Sequence, residues 1–147
     1  MVTWKEFEKL QPQLAQYGKE RFSLKIAYLG TIRRDGTPRI HPVSPILSDE
    51  RLFIFMEPSS PKGKDLIRNG MYVLHSLVMD STGSNGEFWL YGKAKKVDDK
   101  KLREEAASAA NYVPKDRYIL FQLDIGEAGS TIYQGGEPIY NHWLIKE

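Results

Sequence analysis

Ser59-Ser60-Pro61-Lys62-Gly63-Lys64-Asp65-Leu66-Ile67-Arg68-Asn69 follows the apolar run Leu52-Phe53-Ile54-Phe55-Met56 and reads as a strand that turns directly into a helix. Serine is a favoured N-cap and proline suits the first helical position, so the pattern predicts a helix from about Pro61 to Asn69, stopped by Asn69-Gly70. A helix start leaves backbone N–H groups unpaired and carries the positive end of the macrodipole. Lys62 and Lys64 therefore sit where cations weaken a helix, and a docked anion reverses that sign. Strand, tight turn, Ser60, Lys62 and Lys64 on a helix start form a candidate phosphate seat. The same residues also suit a capped surface helix with two solvated lysines, and the stretch alone does not choose.

Around this stretch the chain has 147 residues, enough for one domain with a substantial core, over residues 1–147. Hydrophobic residues make up 41% and charged residues 27%, as in ordinary globular proteins, and the net charge is +2. The lysines at 93, 95, 96, 100 and 101 are interleaved with Asp98 and Asp99, a solvated face rather than a nucleic-acid surface. The absence of cysteine removes disulfides, thiolate metal sites and cysteine nucleophiles. His41, His75 and His142 are far apart and make no local metal motif, so no metal site is expected. The first residues lack the apolar core of a signal peptide and no apolar run spans a membrane, so a cytoplasmic location is the expectation.

Upstream, Thr3 and Glu6 form a capping-box pattern, and Phe7, Leu10, Leu14 and Tyr17 recur at helical spacing. The segment 1–20 is thus an amphipathic helical region, bent or restarted at Pro12. Leu24 to Ile32 reads as a strand, Arg34-Asp35-Gly36-Thr37 as a hairpin turn, and Pro38 to Leu47 as a strand. Pro38, Pro42 and Pro45 confine that strand to an edge, where Arg39, His41 and Ser44 are placed to meet a ligand. A kinked edge blunted against aggregation is an equally simple reading.

Downstream, Met71 to Met79 reads as a strand, Asp80 to Gly86 as a polar loop, and Glu87 to Val97 as a long strand. Glu87, Trp89, Tyr91 and Lys93 share one face of it, a candidate interface. A helix is expected over Asp98 to Ala110, a strand over Tyr118 to Ile125, and a final hairpin of Ser130 to Gln134 with Ile139 to Ile145. The sum is about six to eight mostly antiparallel strands with three short peripheral helices, a mainly β (α+β) list that a small barrel satisfies. No serine-elbow triad and no G-x-G-x-x-G after a strand is present, which disfavours a hydrolase and a dinucleotide-binding domain.

In this order the pieces resemble the FMN-binding split barrel of the pyridoxamine 5′-phosphate oxidase-like superfamily. The likeness is carried by Pro38-Arg39-Ile40-His41-Pro42-Val43-Ser44, by the opening stretch with its preceding strand, by Phe88-Trp89-Leu90-Tyr91-Gly92, and by Tyr133-Gln134-Gly135-Gly136. The resemblance implies a six- to eight-stranded antiparallel split barrel and a homodimer with FMN at the subunit interface. It implies that Lys62 and Ser60 contact the phosphate and that Arg39, Ile40, His41, Pro42, Val43 and Ser44 line the flavin. Phe55 and Met56 stand where a Tyr-Thr pair touches the flavin, and Glu87 where a glutamine reaches it from the other subunit. Trp89 and Trp143 are placed by the same reading at the ring edge.

The chain also departs from that pattern. Pro61 replaces an arginine that holds the phosphate, which leaves Lys62, Lys64 and Arg39 to balance it. Ile139, Asn141 and Trp143 stand where the oxidase has an Arg and a His for pyridoxal phosphate and a further Arg near the flavin. The expectation is an FMN-dependent oxidoreductase acting on a small molecule other than pyridoxamine phosphate. The alternatives are a non-catalytic flavin-holding dimer and a module loaded with a deazaflavin or haem.

Overall fold

A computed structural model describes residues 1–146 of the chain. The order of elements is α1 (Trp4–Leu10), α2 (Pro12–Phe22), β1 (Ala27–Ile32), β2 (Pro38–Val43), β3 (Ile46–Leu47), β4 (Leu52–Met56) and α3 (Pro61–Arg68). They are followed by β5 (Met71–Ser76), β6 (Glu87–Val97), α4 (Lys100–Ala109), β7 (Ile119–Gln134) and β8 (Glu137–Leu144). The capping box forms: the Thr3 amide donates to Glu6 Oε2 at 2.7 Å and the Glu6 amide to Thr3 Oγ1 at 3.3 Å. The helical region restarts at Pro12 as two separate helices, giving four helices in place of the expected three. Phe7 and Leu14 of the apolar stripe are buried, whereas Leu10 is exposed.

All eight strands join one antiparallel sheet in the order β2-β1-β5-β6-β7-β4-β3, with β8 on the far part of β7. The strand expected over Pro38 to Leu47 is broken at Ser44-Pro45, because Pro45 has no N–H to donate and restricts the residue before it. Its two halves lie at opposite ends of the sheet order, β2 at one edge and β3 at the other. The sheet thus curls until its edges are two residues apart along the chain, yet no ladder joins them. The barrel is open at that seam.

The segments expected as separate strands at Tyr118 to Ile125 and Ser130 to Gln134 are one strand, β7, paired along its length to β6 and in turn to β4 and β8. Gly126 and Gly129 lie in the break expected between those two segments, but Gly129 serves close packing: a Cβ there would lie 2.2 Å from the Trp89 indole. Strand β5 ends at Ser76, whose hydroxyl accepts from the Phe88 amide at 2.9 Å and leads into a loop.

The core explains why Leu52 to Met56 is apolar without alternation. Leu52, Ile54 and Met56 face the barrel interior with Leu29, Leu74, Leu90 and Phe121. Phe53 and Phe55 face outward under α4, against Ile46, Ala106 and Leu120. A strand buried on both faces has no polar side to show. Helices α1 and α2 cover one end of the barrel through Trp4, Phe7 and Phe22, the last edge-on to Phe88 at 5.4 Å. Among the described residues no helix is long and apolar enough to cross a membrane.

Candidate functional site

Helix α3 begins as the sequence predicts. Ser60 is the N-cap in extended conformation and its Oγ accepts from the Gly63 amide at 3.2 Å. The Ser60 amide itself donates to the Glu57 carbonyl at 3.0 Å, which closes the turn after β4. This turn sits at the open seam of the barrel, where the end of β2 faces the end of β4. A cavity of about 420 Å³ occupies the seam, lined on one side by Pro42, Val43 and Ser44 and on the other by Phe55, Met56, Glu57, Ser60 and Lys62. Ile26, Tyr112 and Tyr118 complete the wall.

Lys62 is half-buried, and burial lowers its pKa from the usual lysine value. No carboxylate pairs with it among the described residues, so the cavity holds an ammonium group without a counter-charge. Glu57 on the same wall is neutralised by Arg117, which donates from Nε at 2.9 Å and from Nη2 at 2.5 Å. These bonds hold the Glu57 carboxyl below the usual carboxylate range. Burial raises the Tyr112 phenol, and nearby Tyr118 adds to the effect.

Helix α3 is fixed to the sheet by its own Asp65, which is 2% exposed. The carboxylate accepts from Thr31 Oγ1 at 2.8 Å, Arg39 Nε at 2.8 Å and Arg68 Nη2 at 3.2 Å. Burial pushes its pKa up, but these donors outweigh burial and the net shift is downward. Arg39, expected to line the flavin and help balance a phosphate, is thus placed as a strut between β2 and α3 rather than in the cavity wall.

Of the other residues singled out in the sequence, Pro61 and Lys64 are exposed on α3 outside the cavity lining, and Ile40 is exposed on β2. His41 is exposed too, with Nδ1 2.9 Å from the Pro42 carbonyl. Trp89 and Trp143 occupy opposite faces of the sheet. Trp143 packs on Phe7 with ring centroids 5.2 Å apart, on the core side beside Ala128. Trp89 lies on the outer face between His75 and Gly129, with Tyr91 at 4.9 Å and His142 at 5.9 Å. Glu87 shares that outer face, 3.7 Å from His75 Nε2. Among the described residues, no cluster of three or more His, Cys, Asp or Glu side chains is placed to hold a metal.

No family model matches the chain and no curated protein matches it. Solved structures do. A heme-binding protein from Mycobacterium smegmatis superposes with a TM-score of 0.67 at 13% identity, over 87% of this chain and 57% of that one. A NimC/NimA family protein from Clostridium acetobutylicum gives 0.64 at 18% identity, over 88% and 92%. A protein from the same organism related to general stress protein 26 of B. subtilis, of the pyridoxinephosphate oxidase family, gives 0.64 at 17%, over 87% and 92%.

The chain shares the split-barrel fold of these solved structures. At these identities the likeness is one of fold, and the chain spans only 57% of the Mycobacterium smegmatis protein. In this split barrel the seam cavity brings together Pro42, Val43, Ser44, Phe55, Met56, Ser60 and Lys62. The sequence did not point to Ile26, Glu57, Tyr112 or Tyr118. The two tyrosines come from the α4–β7 connection, more than 40 residues downstream of Lys62, and no local motif marks them.

Proposed function

We propose that this chain is an FMN-binding protein of the oxidoreductase kind, with the phosphate end of the flavin seated at Lys62 and two copies of the chain enclosing the cofactor. The observation that supports this most directly is the half-buried, unpaired Lys62 ammonium at the start of α3. A phosphate supplies the counter-charge that the protein itself does not, and the Lys62 amide is left to donate to it, since Pro61 has no N–H and the Gly63 and Lys64 amides donate to Ser60. Pro42, Val43 and Ser44 then flank the ligand along β2, while Phe55 and Met56 give it an apolar wall. The flavin supplies the redox chemistry when bound; the chain binds it, orients it and excludes water.

The outer face of the sheet supports a pair of copies. Ile40, Tyr28, Tyr91 and Leu144 are exposed there around Trp89 and Glu87, and apolar side chains so grouped favour burial. On the β8 hairpin, Ile139 and Asn141 carry no charge and Trp143 is committed to Phe7, so no cation stands there for a substrate phosphate. The substrate in this reading is a small molecule other than pyridoxamine phosphate.

A haem reading draws on the Mycobacterium smegmatis heme-binding protein. It is the weaker one here, since none of the three histidines lines the seam cavity. Titrating the protein with FMN, a deazaflavin and haem tests the choice. FMN bound most tightly, in a particle of twice the chain mass, is the expected result; preference for another cofactor, or a monomer that binds none, refutes the proposal.

A further inference from the structure

The seam cavity is short of positive charge for the ligand proposed. Its lining includes one cation, Lys62, and one anion, Glu57, whereas a phosphate monoester carries a charge of about −1.5 to −2 at pH 7. Pro61 leaves the helix start without a guanidinium. A guanidinium beside the cavity belongs to Arg117, which grips Glu57 and lies 5.6 Å over the Tyr118 ring. Glu57 and Tyr118 both line the cavity, so Arg117 stands at its mouth.

The backbone beneath Arg117 is fixed. Arg103 donates to the carbonyls of Tyr118 at 2.8 Å, Lys115 at 3.2 Å and Asp116 at 3.3 Å. The Arg117 side chain, by contrast, is 55% exposed and held at the surface by its ion pair with Glu57 and by the Tyr118 ring. Exposed ion pairs are weak. A planar guanidinium also matches phosphate as well as it matches carboxylate, with a fork of two parallel donors.

We infer that Arg117 is the second cation of the phosphate seat, parked on Glu57 in the free protein and passed to, or shared with, the phosphate when the ligand enters. This rests on the phosphate seat proposed above. Glu57 is then a competitor as well as a holder: it keeps the guanidinium at the mouth but opposes the incoming dianion.

The test compares FMN with riboflavin, which has the same ring and no phosphate, on wild-type protein, Arg117→Gln and Glu57→Gln, each checked for an unchanged circular dichroism spectrum. Arg117→Gln is expected to weaken FMN about tenfold or more, in line with losing a charge-assisted hydrogen bond, and to leave riboflavin within about twofold. Glu57→Gln is expected to tighten FMN several-fold. The opposite signs are decisive, because a clamp that merely fixes the turn before α3 would be damaged equally by either change. Equal FMN-to-riboflavin ratios in wild type and Arg117→Gln, or weaker FMN binding by Glu57→Gln, overturn the inference while leaving the cofactor reading intact. Wild-type protein that binds no FMN overturns both.

Discussion

Replacing Asp65 with alanine removes the group that ties α3, and with it the proposed phosphate seat, to β1 and β2. The carboxylate is almost wholly buried and accepts from Thr31, Arg39 and Arg68. Removing one partner of a buried ion pair costs about 3–5 kcal/mol when the remaining charge is trapped. Here the side chains of Arg39 and Arg68 are 30% and 35% exposed, so water recovers part of the loss. Thr31 is only 4% exposed, and its hydroxyl left without a partner costs about 1–3 kcal/mol. Together these give a loss of about 3 kcal/mol, or roughly 10 °C in Tm for a domain of this size.

The loss is pH-dependent in a defined direction. Because the folded-state pKa of Asp65 lies below its unfolded value of about 3.9, its stabilisation is complete at neutral pH. It disappears as pH falls through the folded value, so wild-type and variant stabilities converge in acid. Urea denaturation of both proteins at pH 7 and at successive acidic pH values measures this. A difference below about 1 kcal/mol at pH 7, or one that widens on acidification, refutes the reasoning.

Lys62→Ala is expected to weaken FMN by about 10- to 100-fold and riboflavin little, measured by flavin fluorescence quenching. Raising the pH should weaken FMN at a pH below the ordinary lysine value, since burial lowers the Lys62 pKa, and the drop should vanish in Lys62→Ala. Trp143→Ala should cost about 2 kcal/mol of stability through the lost packing on Phe7, with FMN affinity unchanged; denaturation and titration of one sample separate the two. Tyr91→Glu, on the exposed outer face, should shift the particle to single chains in analytical ultracentrifugation without lowering the stability of the chain itself.

What was legible in the sequence was local. The Thr3–Glu6 cap, the Asp35-Gly36 hairpin and the Ser60-Pro61 helix start each rest on neighbours within a few residues, and each forms. Prolines marked the edge strand, though the sequence did not show that Pro45 divides it between the two ends of the sheet. Misreadings came where distant partners decide. The break expected between Tyr118–Ile125 and Ser130–Gln134 is absent because Gly129 packs under Trp89 within one strand, and nothing local shows that Arg39 Nε bonds to Asp65, 26 residues away. Likewise, alternation along β6 and β8 separates the two faces of each strand but does not reveal that Trp89 and Trp143 end on opposite sides of the folded sheet.

The two free edges at Ser44-Pro45 have a mechanical consequence. Elsewhere in the wall, prising neighbouring strands apart means breaking a row of N–H···O bonds, whereas between β2 and β4 there are none to break. That gap can widen for a rigid planar guest and settle back around it by flexing a short covalent hinge. A stiff guest proposed for this seam would therefore enter without any ladder being given up.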